Sequence, residues 1–310
     1  MNAIADFPAL ANSNHLKQIE IDYDPETLTL YWWMKPSPRP CFNAAFLEES
    51  YDFERRLQQH QGWMIHAGKQ CKIENAVFGS RVPGVFNLGG DLSLFIQAIL
   101  RKDRDALVRY GDLCVDNMYR RVCGFDAGIV TYSLLQGRAF GGGFECALAS
   151  EVIVAERGAT MSFPEVLFNM FPGMGALSLL GRKIGLRKAE EIIMSGKVFT
   201  AKEMYELGVV DQLTETGTGL EAVRSLVKMR QRRRNSYRAM SLAKRQFHPV
   251  SHAEMKAVVD IWVDAAMSLE NRDLRMMGRL VRAQDNLLNA TPEDEFVEEL
   301  YAPTPQVVNG

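Results

Sequence analysis

A β-branched apolar run, Gly128-Ile129-Val130-Thr131-Tyr132-Ser133-Leu134-Leu135, leads within a few residues to three consecutive glycines, Gly141-Gly142-Gly143. An apolar helical pattern follows at once: Phe144-Glu145-Cys146-Ala147-Leu148-Ala149. A strand that enters a helix through glycines brings bare backbone close to whatever lies across from it, because no Cβ stands in the way. The first N–H groups of such a helix have no acceptor within it and face outward, where the helix dipole favours negative charge. The segment therefore demands an αβ arrangement and offers donors for a developing oxyanion. Glu145, one turn into the helix, and Glu165, after Ser162-Phe163-Pro164, supply an acid and a base.

The rest of the chain reads as strands alternating with helices, which implies a mostly parallel sheet with crossover helices. Strands are expected at Leu28–Met34, Ala76–Ser80, Gly84–Phe86, Ile129–Leu135 and Glu151–Ala155, with Val209-Val210 as a last short one. Asn43 is placed to cap a helix reaching Gln59, and helices are expected over Leu92–Leu100 and Asp105–Val122. After Ser178 the pattern turns mostly helical, with segments at 186–194, 201–207, 219–234, 237–246, 252–267 and 272–287. The expected organisation is an N-terminal arm over 1–22, an α/β core over 23–215, a C-terminal helical region over 216–290 and a tail over 291–310.

Composition narrows the function classes. With 310 residues the chain can bury a full core. A net charge of −2 gives no reason to expect nucleic acid or an anionic membrane as partner. Five cysteines with no CxxC pair suit a reducing compartment, as small apolar residues. The first fifteen residues contain Asp6, no Lys or Arg and no long apolar run, and no stretch approaches the ~18 apolar residues of a membrane span. A cytoplasmic location is expected. The five histidines show no metal-ligand spacing, so no metal site is expected, and no GxSxG nucleophile elbow is present.

A second glycine turn, Asn87-Leu88-Gly89-Gly90-Asp91-Leu92, again follows a short strand and precedes a helix. Downstream lie Met161-Ser162-Phe163-Pro164-Glu165, Phe171-Pro172-Gly173-Met174-Gly175, Ser195-Gly196-Lys197-Val198-Phe199-Thr200-Ala201 and Leu207-Gly208-Val209-Val210-Asp211. In order and spacing these segments, spanning about residues 73–213, resemble the crotonase (enoyl-CoA hydratase/isomerase) superfamily. The resemblance implies a crotonase-like α/β fold of repeated ββα units with a C-terminal helical region, and no cofactor. It implies an oxyanion hole for a thioester carbonyl, made by the N–H groups of Leu88 and Gly142, with Gly89 and Gly141 beside the substrate. Asp91 reads as a helix cap. Glu145 and Glu165 fall where the hydratases carry the two carboxyl groups that add or remove water. One takes the C2 proton and the other protonates the leaving hydroxyl; sequence does not say which does which.

Asn87–Leu92, the Trp32-Trp33-Met34 strand, Gly141–Ala149 and Phe168-Asn169-Met170-Phe171-Pro172-Gly173-Met174-Gly175 further resemble the diffusible signal factor synthases, crotonase-fold makers of cis-2-unsaturated fatty acids. That likeness implies dehydration of a 3-hydroxyacyl chain on acyl carrier protein, thioester hydrolysis to free acid, and restraint by a sensor protein. An ordinary enoyl-CoA hydratase or isomerase using a CoA thioester, and a crotonase-fold regulatory binding protein, remain open. The superfamily habit is a homotrimer or a dimer of trimers. Met170 and Met174 suit an adaptable apolar pocket, or simple core packing. Trp262 either closes the end of an acyl tunnel or packs a late helix. The basic run Lys228-Met229-Arg230-Gln231-Arg232-Arg233-Arg234 reads as a solvated helix end, or as a contact for an acidic carrier surface or a phosphopantetheine phosphate.

Overall fold

The computed structural model describes residues 16–289. A hairpin opens it: β1 (Ile19–Asp24) and β2 (Thr29–Met34) pair antiparallel. Asn43 then caps α1 (Ala44–Gln59), its side chain accepting the Phe46 N–H at 2.9 Å. A short hairpin, β3 (Trp63–His66) and β4 (Lys69–Lys72), precedes three successive strand pairs. The first pair, β5 (Asn75–Ser80) and β6 (Val85–Asn87), feeds α2 (Leu92–Arg101) and the long α3 (Arg104–Val122). The second, β7 (Val130–Leu135) and β8 (Arg138–Phe140), feeds α4 (Gly142–Leu148). The third, β9 (Val152–Glu156) and β10 (Thr160–Ser162), feeds a 3-10 turn at Pro164–Phe168. This is the repeated ββα plan of the crotonase-like fold.

The repeat explains the two sheets. The first strands of the pairs lie parallel in a six-stranded sheet of order β1-β2-β5-β7-β9-β12. The second strands lie parallel in a four-stranded sheet, β11-β10-β8-β6. The C-terminal part runs through α5 (Ala176–Ile184), α6 (Leu186–Ser195), β11 (Phe199–Thr200), α7 (Ala201–Glu206) and β12 (Gln212–Thr214). It ends in α8 (Gly219–Gln231), α9 (Arg234–Phe247), α10 (His252–Met267) and α11 (Asn271–Asn289). None of the described helices is long and apolar enough to cross a membrane.

Two expectations change. The expected arm over 1–22 overlaps β1, whose residues from Ile19 pair with β2; residues 1–15 and the expected tail at 291–310 lie outside the described residues. Val209 and Val210 are buried in a loop instead of forming a strand, and the last strand is β12, parallel to β9. Two apolar residues mark burial, but pairing is decided by which neighbouring backbone is free.

Alternation along the strands divides the core. Tyr31, Trp33, Val77, Tyr132, Leu134, Val152 and Val154 face α8, where Val223 and Val227 meet them. Trp32, Phe78 and Leu135 belong to the larger cluster beneath α1, α3 and α4. Inside that larger cluster lies a cation. The Arg121 guanidinium stands over the Trp32 and Phe78 rings, 4.6 and 4.2 Å from their centroids. Its Nε and Nη2 donate to Glu54 Oε1 at 3.0 and 2.6 Å, and Nη1 donates to Cys146 Sγ at 2.8 Å. Removing one partner of a buried pair strands the other, at a cost of about 3–5 kcal/mol, whereas replacing both by apolar groups is often neutral. Glu54→Leu is therefore expected to lower unfolding free energy in urea by about 3–5 kcal/mol. Adding Arg121→Met to it should recover most of that loss.

Candidate active site

Two strand-to-helix turns meet at the centre of the molecule. In the first, after β6, the Leu88 N–H donates to the Pro40 carbonyl at 2.8 Å and the Gly89 N–H to Asn87 Oδ1 at 2.8 Å. The Asp91 N–H donates to the Tyr110 hydroxyl at 3.2 Å, and the Asp91 side chain caps α2 through the Ser93 and Leu94 N–H groups. Among the described residues the Gly90 N–H has no acceptor. In the second turn, after β8, Gly141 takes φ 53° and its N–H donates to the Ser162 carbonyl at 2.8 Å. The Gly142 N–H, at the start of α4, likewise finds no acceptor among the described residues.

Glycine lets these turns touch. A Cβ on Gly89 would lie 2.8 Å from the Phe140 carbonyl oxygen and 3.0 Å from the Gly142 nitrogen. One on Gly142 would lie 3.6 Å from the Gly90 nitrogen, so the two unused N–H groups border a common space. Leu88, expected as the first oxyanion donor, is not free: Pro40 already holds its N–H. Among the described residues the Gly90 N–H is the one this turn leaves without an acceptor. Gly89 likewise does not line the pocket beside the glutamates; Gly90 and Gly142 do. Sequence reasoning located the turn but missed which nitrogen is left over, since the deciding partner lies 48 positions upstream.

Tyr110 has no motif around it and was missed altogether. Its buried hydroxyl donates to the Phe42 carbonyl at 2.6 Å while accepting the Asp91 N–H. It thereby braces the Gly90 turn from below. The Phe95 ring, edge-on to Tyr110 at 4.9 Å, packs so closely that a Cβ on Gly90 would come within 2.7 Å of it.

Glu145 and Glu165 both line the same cavity, of about 770 Å³. Glu145 Oε1 accepts the Met174 N–H at 2.8 Å and the Ala176 N–H at 2.9 Å. The Phe171–Gly175 segment thus serves to hold a carboxylate. Burial pushes the Glu145 carboxyl up to about 7, against the downward pull of these N–H groups. Glu165 reaches over Gly141, where any Cβ would collide with its carboxyl group. Its Oε2 has no partner among the described residues. Burial, and then the charge of Glu145, push its carboxyl well above the ordinary range. The pair therefore separates into one group ionised near neutrality and one that keeps its proton.

The remaining walls are apolar: Phe95, Phe168, Met170, Met174 and Trp262 all line the cavity. Trp262 lines the cavity and packs edge-on against Phe95 at 5.0 Å. Gly141 lies behind Glu165 and is not part of the cavity wall. The one cation in the wall, Arg121, is already paired with Glu54. An unused pair of N–H donors, an acid and a base in a water-poor pocket are what proton transfer next to a polarised carbonyl requires.

Known proteins point the same way. The family described as enoyl-CoA hydratase/isomerase matches residues 65–281. A methylglutaconyl-CoA hydratase 1 (mitochondrial) from Pyricularia oryzae is 28% identical over 222 residues, 68% of this chain. The match spans 60% of that relative's length. Among solved structures, an enoyl-CoA hydratase from Bacillus halodurans superposes with TM-score 0.69 at 18% identity, over 85% of this chain and all of that one. The human mitochondrial delta3-delta2-enoyl-CoA isomerase superposes with TM-score 0.70 at 15% identity, over 87% of this chain and 99% of that one. These structural likenesses show the fold.

The glycines make a sharp contrast testable. A Cβ on Gly143 would run into the backbone carbonyl of Asn87, whereas one on Gly142 meets nothing nearer than 3.5 Å. Gly143→Ala should therefore destabilise by about 3 kcal/mol, the upper range for overpacking. Gly142→Ala should melt within error of the parent in the same thermal scan.

Proposed function

Because the chain belongs to the enoyl-CoA hydratase/isomerase family, we propose that it adds water to, and removes it from, acyl thioesters at C2–C3, using Glu145 and Glu165. The observation that carries this reading is the pair of buried carboxyl groups with separated proton affinities, in one pocket with two unused N–H groups. The thioester oxygen takes the Gly90 and Gly142 N–H groups, which stabilise negative charge as it develops on the carbonyl. In hydration, the Glu145 carboxylate takes a proton from water as its oxygen bonds to C3. The neutral Glu165 carboxyl gives its proton to C2. Dehydration runs the same steps backwards: Glu165 as carboxylate takes the C2 proton and Glu145 protonates the departing hydroxyl. The resting distribution, with Glu165 protonated and Glu145 the more readily ionised, is the one hydration starts from.

A narrower reading is that the substrate is a long 3-hydroxyacyl chain on acyl carrier protein, dehydrated and then hydrolysed to a free cis-2-enoic acid signal. Supporting it is the Phe- and Met-lined wall, which suits a long aliphatic tail, together with the motif likeness around Asn87–Leu92 and Phe168–Gly175. Hydrolysis would add water at the thioester carbonyl, with Glu145 as its base, and release the carrier thiol. A sensor partner and a trimeric assembly belong to the same reading. The CoA hydratase reading has the broader support, from the family match and the hydratase relative. A purely regulatory role is the weakest, since two desolvated carboxyl groups cost stability that binding alone would not need.

Product analysis separates these. Purified protein incubated with trans-2-dodecenoyl-CoA should give 3-hydroxydodecanoyl-CoA reversibly; absence of any hydrated product would overturn the main reading. Free cis-2-dodecenoic acid from 3-hydroxydodecanoyl-carrier-protein would establish the narrower one.

The pH profile follows from the ionisation order. Hydration needs Glu145 ionised, and its carboxyl sits near 7, so kcat/KM should fall as pH drops through about 7. The alkaline limb follows loss of the Glu165 proton at higher pH, the two limbs belonging to the coupled pair. Glu145→Gln and Glu165→Gln are each expected to cost ~10²–10⁴-fold in kcat, and Glu145→Gln should abolish the acid limb. Gly142→Ala, though folded, should lose ~10²–10³-fold by filling the carbonyl site.

A further inference from the structure

The basic run at the end of α8 does not simply face solvent. Arg230 and Arg234, with Arg238 one turn further along α9 and Lys72 at the end of β4, line a second cavity of about 700 Å³. Tyr132 and Tyr237 form part of its wall, and the Arg230 guanidinium stands 5.6 and 5.0 Å from their ring centroids. This cavity lies on the α8 side of the six-stranded sheet, where Tyr132 and Val227 pack. Glu145 and Gly142 belong to α4, against the other side.

Charge in the cavity is unbalanced. Its wall holds four cations and one carboxylate, Glu74, which Arg234 already engages. Arg230 Nε is buried without an acceptor among the described residues, and the nearest carboxylate to that guanidinium, Glu151, lies at 4.0 Å. No carboxylate among the described residues pairs with Arg238 or Lys72; the Lys72 ammonium donates to the neutral Gln61 carbonyl and stands 5.4 Å from the Trp63 ring centroid. Burial, reinforced by the charge of Arg238, holds the Lys72 ammonium below its usual range despite Glu74. Arg234 and Arg238 also occupy the first turns of α9, the positive end of its dipole, where cations are disfavoured. Capping the C-terminus of α8 accounts for Lys228 and Arg230 but for neither of these.

Donors that outnumber acceptors call for a ligand that only accepts. We propose that this cavity is a second binding site, separate from the catalytic pocket, for a phosphate monoester or diphosphate, held by Arg230, Arg238 and Lys72. Guanidinium groups pair with phosphate through two parallel N–H donors, and the Tyr132 and Tyr237 rings flank Arg230. The inference stands whichever thioester the catalytic pocket takes.

Isothermal titration in low-salt buffer tests it, with inorganic pyrophosphate and ADP as probes. The native protein is expected to bind pyrophosphate once per chain, and more weakly as salt is raised. The double variant Arg230→Gln/Arg238→Gln should bind at least about tenfold more weakly, as loss of charge-assisted hydrogen bonds implies, while hydration rate and melting temperature stay unchanged. Should that variant not fold, Lys72→Gln alone must still weaken binding. Tighter binding of ADP than of pyrophosphate would identify a nucleotide, with its base on the tyrosines; equal binding would identify the phosphates alone. No heat with either probe, or equal affinity in native protein and variants, overturns the proposal.

Discussion

Glu145 is fully buried and Glu165 half-buried, with its Oε2 out of reach of solvent, in a largely apolar wall where a bare carboxylate is costly to keep. The surroundings must either supply donors or accept the proton. Around Glu145 they supply donors, from a chain segment whose N–H groups point at Oε1. Around Glu165 they supply none to Oε2, and the proton stays. This asymmetry, set by backbone geometry near residue 175, gives two identical side chains different proton affinities. Much of the local architecture follows from it: the Pro172–Gly175 bend, the glycine at 141 that leaves room for Glu165, and the cover given by Trp262 from α10.

Much of the fold was legible in the sequence because local signals agreed with their surroundings. Asn43 and Asp91 cap helices where expected, and the alternating runs of β2, β5, β7 and β9 formed strands. Most of the elements that were missed carry weak local signals; β1, with its alternating Ile19-Glu20-Ile21-Asp22, and the nine-residue α5 are the exceptions. β3 and β4 have four residues each, and β4 is largely polar, while β8, β10 and β11 have only two or three residues each. They exist because the preceding strand of each repeat delivers the chain to a place where a neighbour's backbone is unpaired. Val209-Val210 is the converse, apolar enough for a strand but with no edge to join.

The candidate site was legible in its side chains and less so in its backbone. Glu145, Glu165, Met170, Met174 and Trp262 all line one cavity, as their motifs suggested. The first donor was misassigned to Leu88, since a motif records residue types while an N–H is made available by tertiary contacts. Pro40 removes Leu88 from consideration, and Tyr110 with Phe42 fixes the orientation of the Gly90 peptide. No residue within the turn signals either contact.

Gly89 meets the Phe140–Gly142 backbone directly. Spacing between the two N–H groups is set by main-chain atoms meeting main-chain atoms, with no side chain interposed. Substitution in the walls, at Phe168, Met170 or Trp262, leaves that spacing untouched. Changes in the lining can therefore alter which groups the pocket admits while the spacing of the two N–H donors stays the same. The shape of the pocket and the spacing of its donors then have separate physical origins.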